Sequence, residues 1–189
     1  RLFPTASGLA PLEGLSLPSD FSDPLGVATL LETEGRDWLT RFATLLGARA
    51  LSFDNYLRSH LLPTVKREEL DAGRRLVAVR WLASHYGRIA GQDKSHVIDE
   101  LSASPVVLCE DGIWRKPGDV HFRSAETLDV LGEAGPFAAE DDNGSDLLAQ
   151  FLVWLGVQTK PRLEAVVRRV LEVVSRQTPE QAAPFVQRM

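Results

Sequence analysis

The sequence predicts a mixed α/β fold of the α+β type: two tandem units, each a short β-hairpin followed by several helices, helix-rich and sharing one continuous core. Three observations carry this. A stretch near each end aligns with the other without a gap; an Asp-Gly turn sits between short apolar runs; and apolar residues recur at i, i+3, i+4 over much of the remainder.

Residues 36–47 fall on 145–156 at an offset of 109, and Asp37/Asp146, Phe42/Phe151, Leu46/Leu155 and Gly47/Gly156 coincide. Gly35 falls on Gly144, and Phe53-Asp54 falls on Leu163-Glu164 after one inserted residue. Upstream, 3–9 and 108–113 are each an extended run, a polar turn with glycine and another apolar step, followed by a second short extended piece at 15–17 and at 119–122. This sets the units at 1–104 and 105–189.

In the first unit, the amphipathic stretch 38–46 is a helix stopped by Gly47. The longest helical candidate is 68–89, with Leu70, Val77, Trp81 and Leu82 on one side, Arg74, Arg75, Arg80 and Arg88 elsewhere, and Gly87 and Gly91 marking its end. A short helix over 94–101 leads into the second hairpin. There Val106 to Cys109 and Ile113 to Arg115 flank the Glu110-Asp111-Gly112 turn, and Pro117-Gly118 ends the return strand. Ser124 caps a helix reaching Leu131, which Gly132 stops. Residues 133–145 are the most loop-like. Helix 146–155 closes at Gly156, and 162–175 carries Leu163, Val166, Val167, Val170, Leu171 and Val174 as one wide apolar stripe. No flexible linker separates the units.

Composition narrows the function. With 189 residues and 44% apolar content, the chain builds a core without metal or disulfide staples. The single Cys109 excludes an internal disulfide framework and points to a reducing, cytoplasmic setting. No apolar run of about 18 residues is present, so no membrane span is expected. A net charge of −5 argues against a general nucleic-acid coat and leaves room for a local basic face. Arg1 at the start and the lone Met189 at the end suggest a segment of a larger protein.

Candidate chemistry is thin. Set as a calcium loop with Gly144 at the sixth position, the acidic stretch 140–145 places Asp141 and Asn143 suitably but Ala139 first and Gln150 last, so the bidentate carboxylate is missing. His60, His85, His96 and His121 form no H-x-x-x-H pair, although His96, Asp99 and Glu100 share a predicted helix; no metal is expected. Cys109 lies in an apolar strand without a local base. Thr5-Ala6-Ser7-Gly8 lacks the first glycine of a nucleophile elbow, and no phosphate-binding glycine motif occurs. The remaining candidates are Arg74, Arg75, Arg80 and Arg88, with Lys66 and Arg67 before them, as nucleic-acid or partner contacts. Against this, interleaved Glu68, Glu69 and Asp71 fit an exposed, self-supporting helix. Arg162, Arg168, Arg169 and Arg176 repeat the pattern later.

Several segments together resemble the repeat regions of large sacsin-like proteins, including the NO VEIN group. They are residues 2–8, Asp23-Pro24-Leu25-Gly26, Leu46-Gly47, the run from Val107 to Val120, and Trp154-Leu155-Gly156-Val157 with the helix after Pro161. Such proteins carry an Hsp90-type ATP-binding domain elsewhere in the chain. The resemblance implies ATP and Mg²⁺ for that domain only, since the D-x-G-x-G loop it uses is absent from these residues. No catalytic, cofactor-binding or metal residue is expected in this segment, and it is not expected to be an enzyme. It implies a structural or interaction segment coupling an ATPase to its other domains and to a protein client. The alternative is a DNA-contacting module of a bacterial defence protein using the four arginines.

Overall fold

A computed structural model describes residues 2–67, 70–91, 94–139 and 146–176. The fold is mixed α/β, rich in helix, with small sheets of short strands. Two compact units divide at Arg1–Leu82 and Ala83–Met189. The sequence places its division at 104/105, where the second hairpin begins; the compact units part earlier because the helices after residue 85 pack against a helix near the C-terminus.

In the N-terminal unit, β1 (Leu2–Thr5) pairs antiparallel with β2 (Gly8–Pro11). Ala6 and Ser7 form the turn, and the Thr5 hydroxyl donates to the Gly8 carbonyl at 2.9 Å. β3 (Ser16–Leu17) is parallel to β4 (Arg49–Ala50), and two single-residue bridges complete the network: Thr5 with Leu31, antiparallel, and Ser16 with Leu30, parallel. Helix α1 (Asp37–Leu45) turns Leu39 and Ala43 inward, onto a core of Phe3, Leu15, Leu31 and Ala48. Its end is a Schellman motif: Gly47 N–H donates to the Thr44 carbonyl and Ala48 N–H to the Ala43 carbonyl, both at 2.9 Å, with Gly47 at φ +100°.

A continuous helical path follows over 53–65. α2 (Phe53–Tyr56), capped by the Ser52 hydroxyl, runs through a π-helical turn (Leu57–Leu61) into α3 (Leu62–Val65). Pro63 explains the wide turn: it has no N–H for the Ser59 carbonyl, and a π-turn before it absorbs the loss and the bulk of the ring. α4 (Ala72–Ser84) lays Trp81 on this path, stacked on Phe53 at 5.6 Å and edge-on to Tyr56 at 5.5 Å, with Phe21 closing the cluster. The Tyr56 hydroxyl donates to Asp23 Oδ1 at 2.6 Å, while the same carboxylate accepts the Leu25 and Ala28 amides, tying the loop to the helix. Burial and that bond push the Tyr56 hydroxyl pKa well up.

The single helix expected over 68–89 is instead two. Residues 68 and 69 lie outside the described residues. α4 starts at Ala72 because the Asp71 carboxylate accepts the Gly73 and Arg74 amides, an N-cap that holds its pKa down. It stops at Ser84, and α5 (Tyr86–Gly91) begins after His85, with Gly87 inside the second helix rather than at an end. The break separates Trp81, which packs on Phe53, from Tyr86, which packs on Trp154.

In the C-terminal unit, α5 and α6 (Lys94–Ser102) precede the second hairpin, β5 (Val107–Leu108) against β6 (Trp114–Arg115). Asp111 shapes its turn, accepting the Ile113 amide and a bidentate Arg115 at 2.8 and 2.7 Å, which holds its pKa at about 2. Cys109 bridges Ala138 antiparallel, and His121 bridges both Phe137 and Gln158 in parallel. A short 3₁₀ turn (Pro117–Asp119) replaces the end of the return strand. α7 (Ala125–Leu131) begins with a capping box between Ser124 and Thr127 and ends at Gly132. α8 (Asp146–Leu155) ends as α1 does: Gly156 N–H donates to Val153 and Val157 N–H to Leu152, both at 3.0 Å, with Gly156 at φ +103°. α9 (Leu163–Arg176) closes the described chain.

The two units therefore contain the same order of pairings. Ser16 is flanked by Leu30 and Arg49 in one and His121 by Phe137 and Gln158 in the other, all parallel. Even the backbone bonds correspond: Glu32 N–H to Pro4 beside Ala139 N–H to Leu108, and Leu31 N–H to Ser16 beside Ala138 N–H to His121, all at 2.9 Å.

The helix-ending glycines give a direct check. A Cβ at either would meet no atom within 4 Å, so the cost of alanine is backbone strain alone. Gly47→Ala and Gly156→Ala are each expected to destabilise the chain by about 1–2 kcal/mol in urea unfolding; a neutral result at both would show that these helix ends relax freely.

Candidate functional site

The four arginines singled out by sequence do not form one open face. Arg75 is buried, 7% exposed, and one of its Nη atoms donates to the Arg67 carbonyl at 3.1 Å. Arg74 is exposed, yet it too turns to the backbone, donating to the Leu25 carbonyl at 2.7 Å. Arg80 is exposed on α4, about 120° round the helix from Arg74 at 100° per residue. Arg88 is exposed on α5, in the C-terminal unit. On the later helix, Arg169 sits 3.6 Å from Glu172, and Arg162, just before that helix, donates to the Gly118 carbonyl. The guanidiniums of Arg74, Arg75 and Arg162 act as ties between segments.

The histidines are equally dispersed. His60 stacks on Tyr56; His85 Nδ1 lies 3.0 Å from the Ser84 hydroxyl; His96 lies 3.1 Å from Glu100 on α6. His121 is different: it is 6% exposed, and neither ring nitrogen has a hydrogen-bond partner among the described residues. Burial, reinforced by nearby Arg162, lowers its pKa. Among the described residues no group of three or more His, Cys, Asp or Glu is placed to hold a metal. The acidic stretch 140–145 weighed for calcium lies outside them. Cys109 is buried, and that burial raises its pKa against the opposing pull of Arg115. No described helix is long and apolar enough to cross a membrane.

What stands out at the surface is apolar. Helix α1 presents Trp38, Phe42 and Leu45, 66%, 41% and 85% exposed, at i, i+4, i+7 on one side, while Leu39 and Ala43 hold the other side in the core. Helix α9 likewise exposes Leu163, Val167, Leu171 and Val174 at helical spacing, the first three lining an open groove with Glu164 and Arg168. Contiguous apolar faces of this kind mark interaction surfaces in soluble proteins. Sequence pattern identified both helices as amphipathic; it did not show that Trp38 and Phe42 lie exposed.

No family model, curated protein or solved structure matches the chain.

His121 yields a pH prediction. Its folded pKa lies below its unfolded value of about 6.5, so the unfolded chain binds the proton more readily between the two values and stability rises with pH there. Stability is expected to fall as pH drops below about 6.5, and His121→Gln to flatten that part of the profile. Thermal unfolding from pH 8 to pH 5 measures this; an unchanged slope in the variant refutes the assignment.

Proposed function

We propose that this chain is a non-catalytic structural and interaction segment, two tandem copies of one hairpin–helix unit, within a large sacsin-like ATPase protein of the cytoplasm. It transmits the state of an ATP-binding domain to other domains and to a protein client, in the manner of a chaperone scaffold. ATP and Mg²⁺ belong to that domain, and this segment contributes no residue to them.

The observation that carries the tandem reading is the matched order of pairings: Ser16 and His121 occupy the same node of the same small network. Each network is reached through a Schellman-closed helix of the same relative position. The interaction reading draws on the apolar faces of α1 and α9, since a segment that docks to neighbours needs such faces and a free-standing enzyme does not. The sacsin-like reading draws on the sequence resemblance alone.

The nucleic-acid alternative asks for an open cluster of arginines, and the inward placement of Arg75 weighs against it. Fluorescence anisotropy with labelled duplex and single-stranded DNA at low salt decides between them. The scaffold reading expects no saturable binding. Binding that weakens steeply with salt, and is lost in an Arg80→Glu, Arg88→Glu double variant, overturns it.

A further inference from the structure

We infer that the exposed face of α1, made by Trp38, Phe42 and Leu45, is the seat of a helix pair of the α5–α6 type, supplied by a unit preceding this one in the array. The inference rests on the tandem reading above.

Helices α1 and α8 occupy equivalent places in the two units. Placing Gly47 on Gly156 puts Phe42 on Phe151, Leu45 on Trp154 and Leu46 on Leu155. In the C-terminal unit the Phe42 and Leu45 positions of that face are covered, while Leu147, the counterpart of Trp38, is half exposed. Phe151 is fully buried, Tyr86 of α5 meets Trp154 edge-on at 5.4 Å and Phe151 at 6.4 Å, and the Ser102 hydroxyl of α6 donates to the Leu155 carbonyl at 2.9 Å. The covering helices lie immediately before the hairpin of their own unit: α6 ends at Ser102 and β5 begins at Val107. In the N-terminal unit the matching face of α1 carries an exposed tryptophan, phenylalanine and leucine. The face thus has an aromatic and aliphatic composition suited to the ligand its counterpart already holds: an amphipathic pair presenting a tyrosine edge to the rings and a serine hydroxyl to the last carbonyl of the helix.

The chain itself supplies the probe. Pro4 corresponds to Leu108, so Leu2 corresponds to Val106, and a second copy of residues 85–105 joined directly to Leu2 enters the N-terminal unit in the register it has in the C-terminal one. Attachment makes the encounter intramolecular, so short helices that are unstable alone still dock. The fused chain is expected to show Tm higher by about 4 °C or more. Amide exchange over 37–46 is expected to slow by about tenfold, as for a helix face newly covered. Tyr86→Ala in the added copy should remove both effects. Leu45→Glu should leave the unfused chain unchanged, because that side chain is exposed, and abolish the gain in the fused one.

A fused chain with no gain in Tm and no slowing over 37–46 overturns the proposal. So does concentration-dependent dimerisation of the unfused chain that Leu45→Glu reverses, which would make this face a self-association surface. The tandem reading is checked separately by superposing the backbones of 2–51 and 106–160 in an experimentally determined structure. If they superpose and the fusion gains nothing, docking alone fails; if they do not superpose, both fail.

Discussion

The geometry of each unit depends on how one helix ends. At Gly47 and Gly156 the backbone enters a conformation at φ near +100° that a side chain opposes, and the two crossed amide bonds of the Schellman motif turn the chain back across the helix end. That turn delivers Ala48 and Val157 into their cores and sets the next residues, Arg49 and Gln158, beside Ser16 and His121. Without it the parallel pairing that joins the helix to the hairpin would have no route. Parallel neighbours require a crossover connection, which contains α1 and Gly47 in the N-terminal unit and α7, α8 and Gly156 in the C-terminal one.

Much of this was legible in the sequence, and the reasons are local. Gly47, Gly112, Gly132 and Gly156 all take positive φ at the ends the pattern gave them, because glycine at a helix stop or turn is a requirement of backbone sterics that tertiary context seldom overrides. Ser124 caps as expected, for the same reason of proximity. What escaped was non-local. Asp71 displaced the expected helix start through its carboxylate, the π-turn arises from Pro63 acting one turn back, and the division at His85 follows from Tyr86 packing on Trp154, 68 positions away. The Asp23–Tyr56 bond spans 33 positions and has no sequence signature. Arg75 is the sharpest case at the candidate surface: its charge suggested a solvated face, while its helical position turns it inward to a carbonyl.

The sheets are too small to be self-sufficient: their longest strands have four residues and several pairings are single bridges. Cohesion therefore falls to helix packing, and in the N-terminal unit the aromatic cluster of Phe21, Phe53, Tyr56 and Trp81 supplies much of it. A helix serving such a unit has two jobs, facing its own core and facing whatever lies on its outer side. Helix α8 meets both demands with Leu152 inward and Phe151 under Tyr86.

Helix α1 meets only the first within this chain. Its outer residues are no ordinary solvent face, for a helix that merely bordered water would place charges where Trp38, Phe42 and Leu45 stand. A scattered exposed leucine means nothing, but Trp38 and Leu45 standing open beside Phe42, whose ring reaches Phe3 at 6.2 Å, widen the apolar stripe of α1 beyond what its own core covers. In repeat architectures each unit buries a face that it cannot bury alone, so the residues at its boundary are selected for the neighbour as much as for the unit. Among the described residues, α1 meets its core through Leu39 and Ala43 while Trp38 and Leu45 stay open to solvent, a face of the kind such a boundary requires.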